Sequence, residues 1–249
     1  MFTKVKTATE IDAMRESGKM LAGILTMLKS QVVPGVTLRQ LADNAAKELK
    51  SLGGEAPTYG YHGFPDVICI SVNDEVVHGI PSNRVVNDGD IVSLDFMVKY
   101  RGMITDSALS AIAGTPLPKN TELLAYTERS LYAGIDVVRN GVQIGDIGAA
   151  VEAVLKPKKY GIVRDLVGHG VGHEVHEDPN IPNYGRPGSG ISLKTGMTFT
   201  IEPMVTLGSE RVYIARDGWT ILTADGSWAA HFEHTILITD NGFEILTER

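Results

Sequence analysis

Acidic residues punctuate two runs of this chain that otherwise have the apolar character of β-strands: DIVSLDFMVKYRGMITDSALS, with Asp95 and Asp106, and the pair TIEPM and HFEHT, with Glu202 and Glu233. In the first run, alternation sends Ile91, Ser93 and Asp95 to one face and Val92, Leu94 and Phe96 to the other. A two-residue turn at Tyr100 and Arg101, followed by Gly102, would set Asp95 directly opposite Asp106, with Cβ atoms about 4.5–5.5 Å apart. Like charges so placed destabilise a strand pair, so the pattern asks for a cation between them or a proton on one. A protonated acid/base dyad is one such chemistry and a metal site another; two solvated aspartates flanking a misplaced turn are the bland alternative. In the second run, a turn at the favoured dipeptide Asp217-Gly218 would oppose Glu202 to Glu233. Pro203, Gly208 and a second turn at Asp225-Gly226 interrupt the arms, so this pairing is the weaker expectation.

All seven histidines lie near these strands: His62, His78, His169, His173, His176, His231 and His234. A lone histidine is more often structural than a ligand, but a cluster beside four acids in apolar strands is not that case. His169 and His173 have the spacing of a helical metal motif, yet Gly168, Gly170 and Gly172 argue against a helix there. Glycine on both sides of His169 instead permits close approach of backbone or ligand. Four carboxylates with one or two imidazoles suit manganese, iron, cobalt or zinc, and the lack of thiolates argues against a structural zinc. Such a set can hold two divalent ions about 3.5–4 Å apart and generate hydroxide near neutral pH.

The elements that must position these residues follow from periodicity. Ile11, Met14, Gly18, Leu21, Leu25 and Leu28 mark a helix over 9–29, with Thr9 and Asp12 as a start signal of capping-box type. Further helices are expected over 38–52, 121–138 and 144–155, and strands over 67–72, 91–98 and 103–113, before a strand-rich final third. The halves echo each other. PGVTLRQLADNAAKELK and NGVQIGDIGAAVEAVLK align with Gly35 and Gly141 offset by 106 residues, and DGDIVSLD and KTGMTFTIE align with Asp95 and Glu202 offset by 107. We therefore expect one domain over 1–249 with two similar halves, about 9–113 and 121–240, in an α+β architecture whose strands form one antiparallel sheet covered by helices.

With 43% hydrophobic and 21% charged residues the composition is that of a soluble globular chain. Its net charge of −7 argues against a broad grip on nucleic acid or anionic membrane. The one cysteine, Cys69, rules out an intrachain disulfide and fits the cytosol.

With these residues in hand, the sequence closely resembles the type I methionine aminopeptidases, through GYHGFPDVICISVNDEVVHGIP, DFMVKYRGMITDS, GHGVGHEVHE, TGMTFTIEPM and FEHT. The resemblance runs over nearly all of the chain and carries no long N-terminal extension. The 33 residues from His169 to Glu202 leave no room for the helical insert of the type II enzymes. It implies the pita-bread fold, with pseudo-twofold halves, and removal of N-terminal methionine before a small second residue. By it, Asp95, Asp106, His169, Glu202 and Glu233 are the ligands of two divalent ions (cobalt, manganese, iron or zinc), with Asp106 and Glu233 bridging. It further implies attack by a metal-bridging hydroxide, with Glu202 accepting the water proton and His78 and His176 contacting the substrate amide and the tetrahedral intermediate. Tyr61, His62, Phe64, Cys69 and Trp219 then belong to the substrate pocket. Thr58, Val175, His173 and His231 depart from a familiar bacterial pattern of cysteine, phenylalanine, arginine and glutamine, which bears on pocket shape and metal tuning. The expected partner is a peptide or nascent N-terminus, with the ribosome a further candidate; a monomer is expected. The competing readings are an aminopeptidase or dipeptidase acting before proline, and a non-catalytic peptide-binding module.

Overall fold

The computed structural model describes residues 5–249. Helix α1 (Ala8–Gln31) buries Met14, Gly18, Leu21, Leu25 and Leu28, five of the six residues whose spacing marks it in the sequence; the sixth, Ile11, is half-buried. Its start differs from the expected Thr9 and Asp12. Thr7 is the N-cap: its hydroxyl accepts from Glu10 N (3.4 Å), and the Glu10 carboxylate accepts from Thr7 N (2.8 Å). The longer glutamate reaches back to the cap, while Asp12 lies further into the helix and pairs with Arg15 (2.9 Å). Helices α2 (Leu38–Leu52) and α4 (Ile144–Leu155) span the expected residues. Helix α3 (Pro118–Asp136) begins earlier than expected because Pro118 is preset for a first turn.

The strands are β1 (Cys69–Val72), β2 (Glu75–Val77), β3 (Ile91–Tyr100), β4 (Met103–Ile112), β5 (Gly161–Ile162), β6 (Gly168–Gly170) and β7 (Glu177–Ile181). They continue with β8 (Thr198–Ile201), β9 (Met204–Thr206), β10 (Val212–Ile214), β11 (Ile221–Thr223), β12 (Ala229–His231), β13 (His234–Thr239) and β14 (Gly242–Ile245). The assigned pairs are antiparallel and fall into four groups rather than one unbroken ladder: β1-β3-β4, β10-β11-β2, β12-β9-β5 and β14-β13-β8-β6-β7.

Two registers decide where the acids sit. In β3–β4, Tyr100 pairs with Met103, so the turn is Arg101-Gly102, one residue later than expected. Both residues have positive φ (50° and 82°), as a type I′ hairpin requires. Asp95 therefore faces Ala108, and Asp106 faces Met97. The slip is by two, so both aspartates keep one face and become diagonal neighbours instead of direct opposites. In the second half the expected register holds. Ile201↔His234, Met204↔His231 and Ile214↔Ile221 all follow from a turn centred on Asp217-Gly218. Glu202 and Glu233 take facing places where the ladder is interrupted between β8–β13 and β9–β12.

The halves join along β4 and β13. Glu233 N donates to Ala108 O (3.0 Å), Asp106 N donates to Thr235 Oγ1 (2.9 Å), and that hydroxyl donates to Asp106 O (2.7 Å). One hydrophobic cluster draws on both, from Leu25, Leu41 and Phe96 to Leu131, Phe199 and Ile236. Helix α1 packs on β3 and β4, and α3 packs on β8, β9 and β12. No helix among the described residues is long and apolar enough to cross a membrane.

Candidate active site

Asp95 from β3, Asp106 from β4, His169 from β6, and Glu202 and Glu233 at the break in the second ribbon line one buried cavity, together with His78, Met97, His176 and His231. The ring of His169 is fixed by its neighbours. Its Nδ1 lies 3.0 Å from Gly170 O, which can only accept, so Nδ1 carries the proton and the Nε2 lone pair is free. Nε2 stands 3.5 Å from Glu202 Oε1 and 3.7 Å from Asp106 Oδ2. The glycines on either side of His169 allow the close approach that the sequence suggested: a Cβ on Gly168 would collide with Thr200 O, and one on Gly170 with Asp178 O.

Burial sets the electrostatics. It pushes the Asp95 carboxyl up to about 7 and Glu202 up to about 8, and raises Asp106 and Glu233 well above the ordinary range. For Asp106 and Glu233 the neighbouring carboxylates push the same way. The imidazoles are driven down by the same desolvation, His169 to about 3 and His78 to about 4. Asp106 Oδ1 and Glu233 Oε1 are buried without a hydrogen-bond partner among the described residues. Ligand atoms of Asp106, His169 and Glu233 all lie within 4.8 Å of one another. Orphaned carboxylate oxygens that repel each other around an unprotonated nitrogen are a donor set that divalent cations satisfy. Asp95 and Glu202 line the same cavity but stand outside that tight trio.

An apolar pocket adjoins this cavity, with a volume of about 80 Å3, lined by Thr58, Tyr61, Phe64, Cys69, Val175 and Trp219 and by four residues that also line the acid cavity: His78, Asp95, Met97 and His176. Against the roughly 300–1,000 Å3 of cofactor or drug sites it is small, on the scale of one side chain. Phe64 and Trp219 meet edge to face (5.1 Å), and Tyr61 Oη lies 2.9 Å from His176 Nδ1. His62 is not in either wall; its ring meets that of Tyr61 edge to face (4.4 Å). His78 has a positive φ of 59°, a strained conformation for a residue with a Cβ, held where the two cavities meet. Cys69 is buried, and its thiol is raised by desolvation and then by nearby carboxylates, so it serves as an apolar wall rather than a nucleophile.

The loop that carries Val175 and His176 is tied to the N-terminal segment. Lys6 Nζ meets Glu177 Oε2 at 2.6 Å, His173 Nε2 meets Glu10 Oε1 at 2.7 Å, and Glu177 Oε1 accepts from His173 N (2.7 Å).

Thr200 and Met97 are among the site residues that escaped the sequence reading. Thr200 accepts from His169 N (2.9 Å) and donates to Glu202 Oε1 (2.7 Å), joining two candidate ligands. Its place two residues before Glu202, on the same strand face, was the available signal. Met97 lines both cavities, and its place two residues after Asp95 was the same kind of signal.

The chain belongs to metallopeptidase family M24, which matches residues 12–240. Within it the similarity is to methionine aminopeptidases. The chain is 44% identical over 242 residues to methionine aminopeptidase 1 of Bacillus subtilis, covering 97% of this chain and 98% of that one. It superposes on the crystal structure of methionine aminopeptidase from Thermotoga maritima with a TM-score of 0.98 at 42% identity, over 100% of both chains. Prolidase from Pyrococcus furiosus, at 24% identity and a TM-score of 0.79, shares the fold alone; the match covers 98% of this chain and 65% of that one. The fold is the pita-bread fold.

Proposed function

We propose that the chain removes the N-terminal methionine from peptides and newly made proteins. The observation that carries this reading is that the apolar pocket and the acid cavity share His78, Asp95, Met97 and His176 as common wall. A first side chain lodged in the pocket brings the first peptide bond to the acids. Unbranched methionine suits the small pocket, whose Tyr61, Phe64, Met97 and Trp219 offer aromatic and sulfur contacts. A charged first residue would be desolvated there and rejected.

Asp95, Asp106, His169, Glu202 and Glu233 would hold two divalent ions, which supply Lewis acidity and activate water for hydrolysis. Manganese, iron, cobalt and zinc all fit the donor set. The chain's own groups do the rest. Thr200 holds Glu202 Oε1, which leaves Oε2 to take a proton. His176, oriented through Nδ1 by the Tyr61 hydroxyl, presents Nε2 to the scissile carbonyl, and His78 faces the amide from the other shared wall. The partner is the free N-terminus of a nascent or finished chain, met in the cytosol by a monomer, with the ribosome as the place of encounter.

The test is a tripeptide panel compared by kcat/KM, with and without chelator. Met-Ala-Ser should be cleaved fastest, and chelation should abolish turnover while leaving far-UV circular dichroism unchanged. Faster cleavage of Leu-Ala-Ser or of an X-Pro substrate overturns the methionine assignment.

A further inference from the structure

Two buried histidines three residues apart are treated differently by this fold. His234, at the start of β13, has both ring nitrogens engaged: Nδ1 lies 2.9 Å from Thr247 Oγ1 and Nε2 lies 3.4 Å from the Tyr132 hydroxyl. It is a satisfied structural histidine. His231, at the end of β12, is 1% exposed, and among the described residues neither of its ring nitrogens has a partner. Its backbone is pinned, the amide donating to Ser110 Oγ (2.9 Å) and the carbonyl accepting from it (3.0 Å). An imidazole always offers either a donor and an acceptor or two donors, and leaving a buried polar group unpaired is destabilising.

His231 lines the acid cavity with Asp95, Asp106, His169, Glu202 and Glu233. The cavity's other orphaned side-chain atoms are Asp106 Oδ1 and Glu233 Oε1, the oxygens that ask for a cation. We propose that His231 is a further protein donor of the metal centre, its ring nitrogen bound to a divalent ion as a second imidazole beside that of His169. The inference rests on the metal site proposed above and adds a second nitrogen donor to the one, His169, in the five-residue set. Like Asp95 and Glu202, His231 lines the cavity around the tight trio of Asp106, His169 and Glu233. A second imidazole shifts preference toward the borderline metals, zinc, cobalt and iron, over an all-oxygen taste for manganese.

The test uses the full chain stripped of metal and reloaded with cobalt(II). Imidazoles bound to cobalt(II) give exchangeable N–H proton resonances shifted far downfield, and these can be counted. The wild type should show at least two, and His231→Gln one fewer, with far-UV circular dichroism unchanged. Cobalt affinity of the variant, measured by competition with a chelating dye, should fall at least about tenfold. A single such resonance in the wild type, or the same number in His231→Gln, overturns the proposal. The wild-type count decides even if the variant fails to fold. Turnover of Met-Ala-Ser is scored separately: cleavage with one resonance removes His231 from the centre and keeps the peptidase, while two resonances without cleavage do the reverse.

Discussion

In the first half, β3 and β4 run as one hairpin of ten-residue strands closed by a single tight turn, and its unbroken register places Asp95 and Asp106. In the second half, the ribbon that carries Glu202 and Glu233 is interrupted where the acids sit. There the backbone finds other partners. Glu202 O accepts from Asn183 Nδ2 (3.0 Å), Glu233 N donates to Ala108 O (3.0 Å), and Glu233 O accepts from Ser107 Oγ (2.6 Å). The two bonds to Glu233 come from β4. The difference teaches that one pair of acids is positioned by a strand ladder, and that half of the other pair is positioned by being tied to that ladder. The break is what frees the second ribbon to make the tie.

The sharpest way to press this comparison is to remove charge at the tie while keeping its backbone bonds. Glu233→Gln should lower turnover of Met-Ala-Ser by about 10^3-fold or more, since metal catalysis contributes several kcal/mol at about 1.4 kcal/mol per decade. The same variant should raise the melting temperature of the metal-free protein, because it removes one of four crowded carboxylates. Thermal melts in chelator check this, and a lower metal-free melting temperature would mean that the acids do not strain the fold.

A smaller effect follows from pH. Asp95 and Glu202 are held at about 7 and about 8 in the folded, metal-free protein, above their ordinary values. Stability from a raised carboxyl is fully present below its unfolded value, near 4, and is lost as pH rises through the folded value. The metal-free protein should therefore lose stability between about pH 4 and pH 8, across both ribbons alike. Bound metal offsets that loss, so the rise in melting temperature on adding metal should be small near pH 5.5 and large near pH 8.5. A rise independent of pH would contradict the shared electrostatics of the two ribbons.

The smallest effect separates their turns. Gly102 (φ 82°) and Gly218 (φ 81°) both occupy conformations that disfavour a Cβ, with open space around them. Alanine at either should cost about 1 kcal/mol. Gly102→Ala should also weaken metal binding, because that turn sets the register of Asp95 and Asp106. Gly218→Ala should leave metal affinity unchanged and raise KM through its neighbour Trp219. Metal titrations and kinetics of the two variants make the distinction; equal loss of metal affinity in both would erase it.

Helix bounds were legible where a turn residue and apolar spacing agreed, as for α2 and α4, because both signals are local. The Asp217-Gly218 register was legible for the same reason, and it persists past Pro203, Gly208 and Asp225-Gly226, which the sequence reading took as threats to it. The β3–β4 register was misread because Tyr100-Arg101 and Arg101-Gly102 both offer a two-residue turn, and only backbone torsion chooses between them. The capping of α1 by Glu10 was missed because Asp12 offered a similar pattern two residues on. The five candidate ligands were named from sequence and converge, but nothing local could show that Thr200 joins two of them or that His62 meets Tyr61 without lining a wall.

The ties from Lys6 to Glu177 and from Glu10 to His173 bear on how tightly a peptide can be held. A free loop that closes on its ligand gives up conformational freedom at the moment of binding, about 0.5–1.5 kcal/mol for each side chain immobilised. Here that freedom is surrendered during folding, when the first helix forms and its capping glutamate captures His173. The segment bearing Val175 and His176 meets its substrate already ordered, so affinity for a short N-terminal stretch of peptide is not spent on building the receptor. A site that must recognise a single residue at the end of almost any chain has few contacts from which to recover such a loss, and preorganisation is how this fold avoids it.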